Sequence, residues 1–290
     1  MSALEFDFMQ RALVAALLVG LTAPAVGVFL VQRRLALMGD GIGHVALTGV
    51  ALGFLLSTAP VLTAVVTAIA GAVVIELVRQ HGRTGGDVAL ALLFYGGIAG
   101  GVLLIGLAPG GSNANLLSYL FGSLTAVSPA DVVVISALSG ALLLTLAVVG
   151  RQLFAVCHDE EYARVAGLPV RTLNLLLAVS AAVTVTVAMR VVGLLLVSAL
   201  MVVPVATAQQ LVRGFRATVV VSLVAGVLAA TSGVLGSYYV DAAPGALIVV
   251  LALCGFAVAT LAGTLVRRLR GTSTATASET VSLLPREAHR

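Results

Sequence analysis

The stretch ALVAALLVGLTAPAVGVFLV, residues 12–31, decides the fold class of this protein. Its twenty residues carry no charge, and a helix of that length spans the hydrocarbon core of a bilayer, which is about 30 Å thick. Similar apolar runs recur along most of the 290 residues, of which 60% are hydrophobic and only 10% are charged. The sequence therefore predicts an all-α protein, a polytopic bundle of membrane-spanning helices.

The arginines separate these apolar runs and predict their orientation. They form five clusters at alternate boundaries between spans, as cytoplasmic loops require. This pattern predicts about nine spans, or eight if one early run is re-entrant, with the N-terminus outside the cell and the C-terminus inside. Arg190 is the exception, and we expect it to mark a tight outer turn and to snorkel to the interface. The expected spans are residues 12–31, 36–56, 60–78, 87–108, 129–149, 171–188, 191–211, 217–240 and 244–266.

The basic residues also limit the possible functions. All 16 are arginine, and without lysine the chain cannot form the Walker A motif, whose lysine contacts nucleotide phosphates. We therefore expect a separate chain to carry out any ATP hydrolysis. The net charge of +4 comes from arginines beside apolar runs and implies no nucleic-acid partner. Residues 1–270 are expected to form a transmembrane permease domain, and the polar residues 271–290 a disordered cytoplasmic tail.

Two ionisable residues lie within the apolar sequence, in the stretch MGDGIGHVALTGVALG at residues 38–53. Asp40 and His44 are four residues apart, so both project from one helix face and can contact the same cation. Taken singly, Asp40 could interact with a helix dipole and His44 could be a core histidine. Together they suggest zinc or manganese ligands. Two ligands make a poor site, whereas a two-fold dimer would supply four.

The remaining acidic residues near helix ends suggest structural roles. Ser128 and Asp131 have the spacing of a capping box, and Glu76 is placed to pair with Arg79 or Arg83. Glycines four residues apart predict close helix packing, within one subunit in preference to a dimer seam. These glycine pairs are Gly49/Gly53, Gly96/Gly100 and Gly97/Gly101.

The loop CHDEEYARVAGLPVRTLN, residues 157–174, is unusually polar for this chain. It predicts a short helix at residues 158–166, ended by Gly167 at the C′ position with Pro169 beyond it. From these residues alone the helix could be an ordinary connector. It could also be a stiff lever on which a cytoplasmic motor acts.

The chain resembles the ABC-type zinc and manganese uptake permeases, which work with high-affinity metal-binding proteins. The resemblance covers nearly the whole chain and depends on four stretches that occur in the family's order. These are MGDGIGHVALTGVALG, SYLFGSLTAVSPAD from Ser118, AMRVVGLLLVSALMVVPVATAQ from Ala188 and DAAPGALIVVL from Asp241. Family members typically carry small or branched residues at the positions of Gly41 and Gly43, so helix stability at the pair differs here.

The resemblance implies a homodimeric permease of a bacterial plasma membrane, a cytosolic ATPase and an extracytoplasmic binding protein that delivers the metal. It implies no permanently bound cofactor, and assigns Asp40 and His44 to the transported metal. Zinc is the expected metal, with manganese or iron as alternatives and an ion-coupled secondary carrier as a different class. We call residues 159–167 the coupling segment, because they match the family's ATPase-coupling segment. Its candidate ATPase-coupling residues are Asp159, Glu160, Ala163, Ala166 and Gly167.

Overall fold

The backbone of a computed structural model is described for residues 5–80, 86–107, 118–125, 127–194 and 196–282. Side chains are described for the same residues except 86, 87 and 265–282. All regular secondary structure in the described residues is helical, because a chain in lipid must satisfy its backbone hydrogen bonds within each segment. The helices with both ends in the described residues are α1 Asp7–Gln32, α2 Met38–Leu55, α3 Pro60–Gln80, α4 Gly86–Leu107, α5 Pro129–His158, α6 Glu160–Val165, α7 Val170–Ala188, α8 Val197–Leu211, α9 Phe215–Val240 and α10 Pro244–Ser282.

Eight of the described helices are long and apolar enough to cross a membrane, which confirms the predicted polytopic bundle. Among the nine expected spans the exception is α8, whose 15 residues extend about 22 Å and fall short of the bilayer core. The expectation of a continuous helix over residues 191–211 was therefore wrong. The smaller of the two predicted span counts fits, although the short segment is a late one and not an early one.

The helix expected at residues 191–196 is interrupted by tertiary contacts. Gly193 has φ +84°, a left-handed conformation that favours glycine, and a Cβ there would lie 2.4 Å from the Leu120 carbonyl oxygen. The Leu194 amide donates a hydrogen bond to the Tyr119 carbonyl at 2.9 Å. The two segments therefore meet backbone to backbone, and this contact replaces the first turns of a full span.

The last helix, α10, is assigned as far as Ser282. Its side chains beyond Thr264, and all of residues 283–290, lie outside the described part of the chain. The boundary between the permease domain and a disordered tail at residue 271 therefore stays a prediction.

Three helices form the centre of the bundle. Most residues of α1, α2 and α7 are buried, and α1 contacts α5, α7, α8 and α9. The outer helices α3, α4, α5, α9 and α10 expose many large apolar side chains, as lipid-facing helices do. Packing of α2 against α3 and α4 on two sides, and against α7 and α8, holds the 38–53 stretch inside the bundle.

The glycine pairs pack helices within this one chain. A Cβ on Gly49 would lie 1.9 Å from Thr67 Oγ1 in α3, and one on Gly97 would lie 2.6 Å from the His44 carbonyl carbon in α2. The Thr48 hydroxyl donates to the Gly97 carbonyl at 2.8 Å, which fastens α4 to α2. Gly96 faces open space, since a Cβ added there would meet nothing within 4 Å. The prediction of packing within one subunit is confirmed for Gly49 and Gly97.

Candidate metal site and coupling segment

The Asp40/His44 pair lies at the start of α2. Asp40 is in the first turn, and His44 follows one turn later on the same face. The preceding residue, Leu37, makes no side-chain capping bond, so the first amides of α2 have no capping side chain. The Asp40 carboxylate therefore lies at the positive end of the helix dipole. Among the described residues Asp40 has no ion-pair partner.

His44 is buried without its full set of hydrogen bonds. Only 7% of the residue is exposed, and its Nδ1 atom has no hydrogen-bond partner in the described part of the chain. The ring contacts Phe94 of α4 edge to face, with centroids 4.4 Å apart. A buried, unpaired ring nitrogen is costly, because desolvation is not compensated by a bond. It is therefore a group that a bound cation can stabilise.

Glycines on both sides of Asp40 allow neighbouring helices to lie close to α2. On one flank, a Cβ at Gly39 would lie 3.2 Å from Met201 Sδ and 3.4 Å from Ser198 Oγ in α8. On the other flank, Gly41 faces Leu93 of α4, with a corresponding distance of 3.5 Å. With about 100° of rotation per residue, Asp40 projects between these two directions. The Asp40/His44 face is thus directed between α8 and α4.

Among the described residues, the Asp40/His44 pair has no third candidate ligand beside it. Within the described residues, no group of three His, Cys, Asp or Glu side chains is close enough to hold a metal ion. Zinc sites have four ligands, and manganese takes more.

The second predicted feature, the coupling segment, contains a capped helix. Helix α6 covers Glu160–Val165, and the Asp159 side chain accepts a hydrogen bond from the Tyr162 amide at 2.9 Å. At its end, Gly167 has φ +81° and its amide donates to the Arg164 carbonyl. The Leu168 amide donates to the Ala163 carbonyl, which completes a Schellman motif. Both caps make this short helix stiff, and Gly167 ends it as predicted.

Of the two alanines that the sequence suggested as ATPase-coupling residues in this segment, only Ala166 is exposed. Ala163 is fully buried against the rest of the chain, so it is not available for contact with another protein. Tyr162 and Val165 are 70% and 88% exposed, and Ala166 is also exposed. A large apolar residue that is exposed on a polar loop is typical of an interaction surface. We call Tyr162, Val165 and Ala166 the exposed face of the coupling segment.

Arg190 lies in a turn, as expected, and is held by an internal ion pair that the sequence did not predict. Its guanidinium donates to Asp131 Oδ2 at 2.6 Å and to the Tyr119 hydroxyl at 3.0 Å. The same aspartate forms the predicted capping box with Ser128, whose Oγ accepts from the Asp131 amide at 3.1 Å. Both ionic side chains are less than one-fifth exposed. Charge-assisted hydrogen bonds are roughly twice as strong as neutral ones, so this pair helps to hold the turn at Arg190 in place.

A second buried arginine was not singled out from the sequence. Arg33, at the end of α1, donates hydrogen bonds to Glu160 of the coupling segment and to Asn174 of α7. The sequence signals were weak, since Arg33 resembles any inside arginine and Asn174 is one polar residue in an apolar helix. The simpler prediction that Glu76 pairs with Arg79 is confirmed by two bonds of 2.9 Å. Arg83 lies outside the described residues.

Comparison with known proteins agrees with the fold. A model of the ABC 3 transport family matches residues 5–263. The chain is 37% identical to the "Probable metal transport system membrane protein" of Treponema pallidum, over 83% of this chain and 90% of the relative. It is 33% identical to the "Manganese transport system membrane protein MntC" of Halalkalibacterium halodurans, over 88% and 87% of the two chains.

The fold is also similar to that of a solved structure. A chain of PsaBC from Streptococcus pneumoniae, solved in complex with Fab, is 32% identical to this chain with a TM-score of 0.79. The match covers 88% of this chain and 91% of that chain. The chain therefore belongs to the ABC 3 transport family, and it is a multi-pass permease of an ABC metal importer in a bacterial plasma membrane.

Proposed function

We propose that this permease imports a divalent transition-metal ion and that Asp40 and His44 contact the ion during its passage. The observation that carries the proposal is the unpartnered Nδ1 of the buried His44, one turn from a carboxylate without an ion-pair partner among the described residues. Ionisable groups inside a membrane protein are usually paired unless they serve an ion or substrate path. Here Arg33, Arg79 and Arg190 each have a carboxylate partner, whereas Asp40 has no ion-pair partner among the described residues.

A homodimer would complete the ligand set. If a two-fold axis passes beside the Asp40/His44 face, two chains contribute two carboxylates and two imidazoles. Four such ligands suffice for tetrahedral zinc, or for part of a manganese shell that water completes. Arrival of the metal from an extracytoplasmic binding protein, and alternating access around this level, then follow the usual geometry of a central site.

ATP hydrolysis by cytosolic partner chains would drive the cycle. The exposed face of the coupling segment, with Tyr162 at its centre, offers an apolar docking surface on a stiff, capped helix. Ala166→Glu changes this face without entering the bundle, so we expect it to release the ATPase and to leave the permease folded. Ala163→Glu would instead place a charge in the permease's own packing and is unsuitable as a test.

The metal itself is proposed on chemical grounds. An imidazole and a carboxylate accept zinc or manganese with little discrimination. The sequence resemblance favoured zinc, with manganese or iron as alternatives, whereas the name of one similar protein specifies manganese. We therefore propose manganese or zinc as the cargo, and competition between the two ions would decide between them.

The test is uptake of radioactive manganese and zinc by a strain that lacks the endogenous gene, grown with a chelator. We expect the wild-type chain to restore uptake of one ion, and Asp40→Ala and His44→Ala to remove it while the protein remains in the membrane. Ser139→Ala is the matched control, because Ser139 is also buried with an unpartnered polar atom in the described part of the chain but lies in α5, away from the pair. Near-normal uptake by either site variant would contradict the ligand assignment.

The energy source is tested separately. We expect uptake to require the partner ATPase and to persist when a proton ionophore collapses the proton gradient. Uptake that survives deletion of the ATPase but stops with the ionophore would instead favour an ion-coupled secondary carrier.

A further inference from the structure

Arg33 connects three parts of the chain that are far apart in sequence. Its guanidinium donates to a carboxylate oxygen of Glu160, 127 residues away in α6, and to the side-chain oxygen of Asn174 in α7, 141 residues away. The Arg33 side chain is only 8% exposed. A guanidinium at this depth is stable only while its partners stay in place, because an unpaired buried charge is costly. Arg33 and the coupling segment are therefore expected to move together.

Glu160 also forms an ion pair within α6. Arg164 donates to its other carboxylate oxygen at 3.2 Å, one turn further along α6. The Glu160 carboxylate thus bridges an exposed arginine of the coupling segment and a buried arginine of the bundle. The fully buried Ala163 seats the same short helix on the bundle. If α6 moves, reorientation of the Glu160 side chain is therefore not enough to keep Arg33 in its place.

The connection continues from Arg33 to α2 without a flexible joint. Arg33 is the C-cap of α1, and the next residue, Arg34, has φ +59°. The Arg34 amide donates to the Val31 carbonyl and the Leu35 amide to the Leu30 carbonyl, which forms a Schellman motif. Met38 then donates to the Leu35 carbonyl at 3.0 Å. The turn is therefore hydrogen-bonded from the end of α1 to the start of α2.

Asp40 follows this turn directly, as the third residue of α2. Only six residues separate Arg33 from Asp40 along the chain, in the hydrogen-bonded turn and the first residues of α2. A rotation of α6 that pulls on Arg33 would therefore tilt the N-terminus of α2, which carries the metal-contacting pair. Coupling through packed elements requires such a contiguous set of discrete contacts.

We infer that Arg33 is a positioning residue that transmits movement of the coupling segment, through the turn at residues 33–37, to Asp40 and His44. The inference rests on the proposed function, in which an ATPase acts on the coupling segment and the pair contacts the metal. It adds the mechanical link between those two sites. Arg33 belongs neither to the exposed face of the coupling segment nor to the metal-contacting pair, so its role is transmission.

The test measures metal ions transported per ATP hydrolysed, in proteoliposomes that contain the complete importer. We expect Arg33→Gln to lower this ratio at least about fivefold, while ATPase subunits are retained and hydrolysis continues. The concentration of metal that half-saturates uptake should not change, because the ligands themselves are intact. A merely structural role would lower the amount of folded importer without changing the ratio.

Two further variants make the result specific. Arg33→Glu combined with Glu160→Arg and Arg164→Glu reverses both ion pairs of Glu160 and leaves Asn174 able to donate its amide, so we expect recovery to within about twofold of wild type. Arg34→Gln is the matched control, since it removes a neighbouring arginine of the same turn whose side chain is exposed. We expect a normal ratio for it.

The inference is overturned if Arg33→Gln behaves like Arg34→Gln, or if the reversed pair assembles and remains uncoupled. If Arg33→Gln fails to assemble, Arg33→Lys replaces it; Lys keeps the charge but provides a single ammonium group where Arg bridges two partners. A normal ratio for Arg33→Lys would then also overturn the inference, and a reduced one would support it. Failure of the proposed function is seen independently, as wild-type uptake that does not depend on the ATPase.

Discussion

Two aspartates occupy the same position in two different helices, and their surroundings differ completely. Asp40 and Asp131 are each the third residue of a helix, α2 and α5 respectively. Asp131 accepts from Ser128 in a capping box and from Arg190 in an ion pair. Asp40 has no capping partner before it and no ion-pair partner among the described residues. The same residue in the same helix position therefore serves structure in one place and remains available for a ligand in the other.

The residues one helical turn after the two aspartates also differ. After Asp40 comes His44, whose ring nitrogen is buried without a partner among the residues that the structure describes. After Asp131 comes Ile135, an apolar residue of the core. A polar pair that is maintained inside a membrane protein without internal satisfaction indicates a functional requirement, because substitution by apolar residues would stabilise the fold.

The largest contrast is expected when each carboxylate is replaced by its amide. Asp40→Asn should lower metal uptake at least about 100-fold, since removal even of outer-shell partners costs roughly 10- to 100-fold in metal affinity. It should leave the yield and thermal stability of the purified protein unchanged. Asp131→Asn should show the reverse pattern, with reduced stability and near-normal uptake per folded molecule. Radiometal uptake normalised to folded protein measures both, and equal uptake losses would end the distinction between the two aspartates.

The next effect concerns the structural ion pair itself. Arg190→Gln should destabilise the protein by about 2 kcal/mol, below the usual loss of roughly 3–5 kcal/mol for a buried pair because both side chains are partly exposed. Combining it with Asp131→Asn should add little, since the pair is already broken. Unfolding by a denaturing detergent would give the three free energies. Fully additive losses would mean that the two side chains stabilise the fold independently.

A smaller effect is expected from the packing beside His44. Gly97→Ala adds a methyl group that would lie 2.6 Å from the His44 backbone, so α4 must move away from α2. The strain should be about 1.5 kcal/mol, and uptake should fall because the Asp40/His44 face is displaced. Gly96→Ala is the matched control, with open space around the new methyl group. Identical uptake by the two variants would show that close packing at α4 does not position the pair.

The smallest effect separates the cap from the ion pair at Asp131. Ser128→Ala removes a side chain that accepts from the Asp131 amide, and loss of such a cap costs about 1 kcal/mol. The Arg190 contact should persist, so uptake should be unaffected. Detergent-induced unfolding measures the loss. A destabilisation as large as that of Arg190→Gln would indicate that the cap is needed to orient Asp131 toward its arginine.

The sequence was sufficient to predict the helices and the candidate site, for local reasons. Apolar runs of about 20 residues report span length directly, and Gly167 and the Ser128/Asp131 spacing report helix ends through contacts between near neighbours. Asp40 and His44 were conspicuous because ionisable residues are so rare in the apolar runs. Their common face follows from helical periodicity alone, and the structure of α2 agrees with it.

Only the tertiary structure shows which residues from distant segments pair with each other and which become buried. The partners of Arg190 and Arg33 lie 59 and 127 residues away, and no local rule selects one carboxylate among several for each arginine. The shortening of α8 arises from a backbone contact at Gly193, and the burial of Ala163 from the way α6 lies on the bundle. Helix propensity and the length of an apolar run depend on neighbouring residues, so the sequence determines them. Ion pairing, burial and the interruption before α8 depend on how whole segments pack, so only the folded chain determines them.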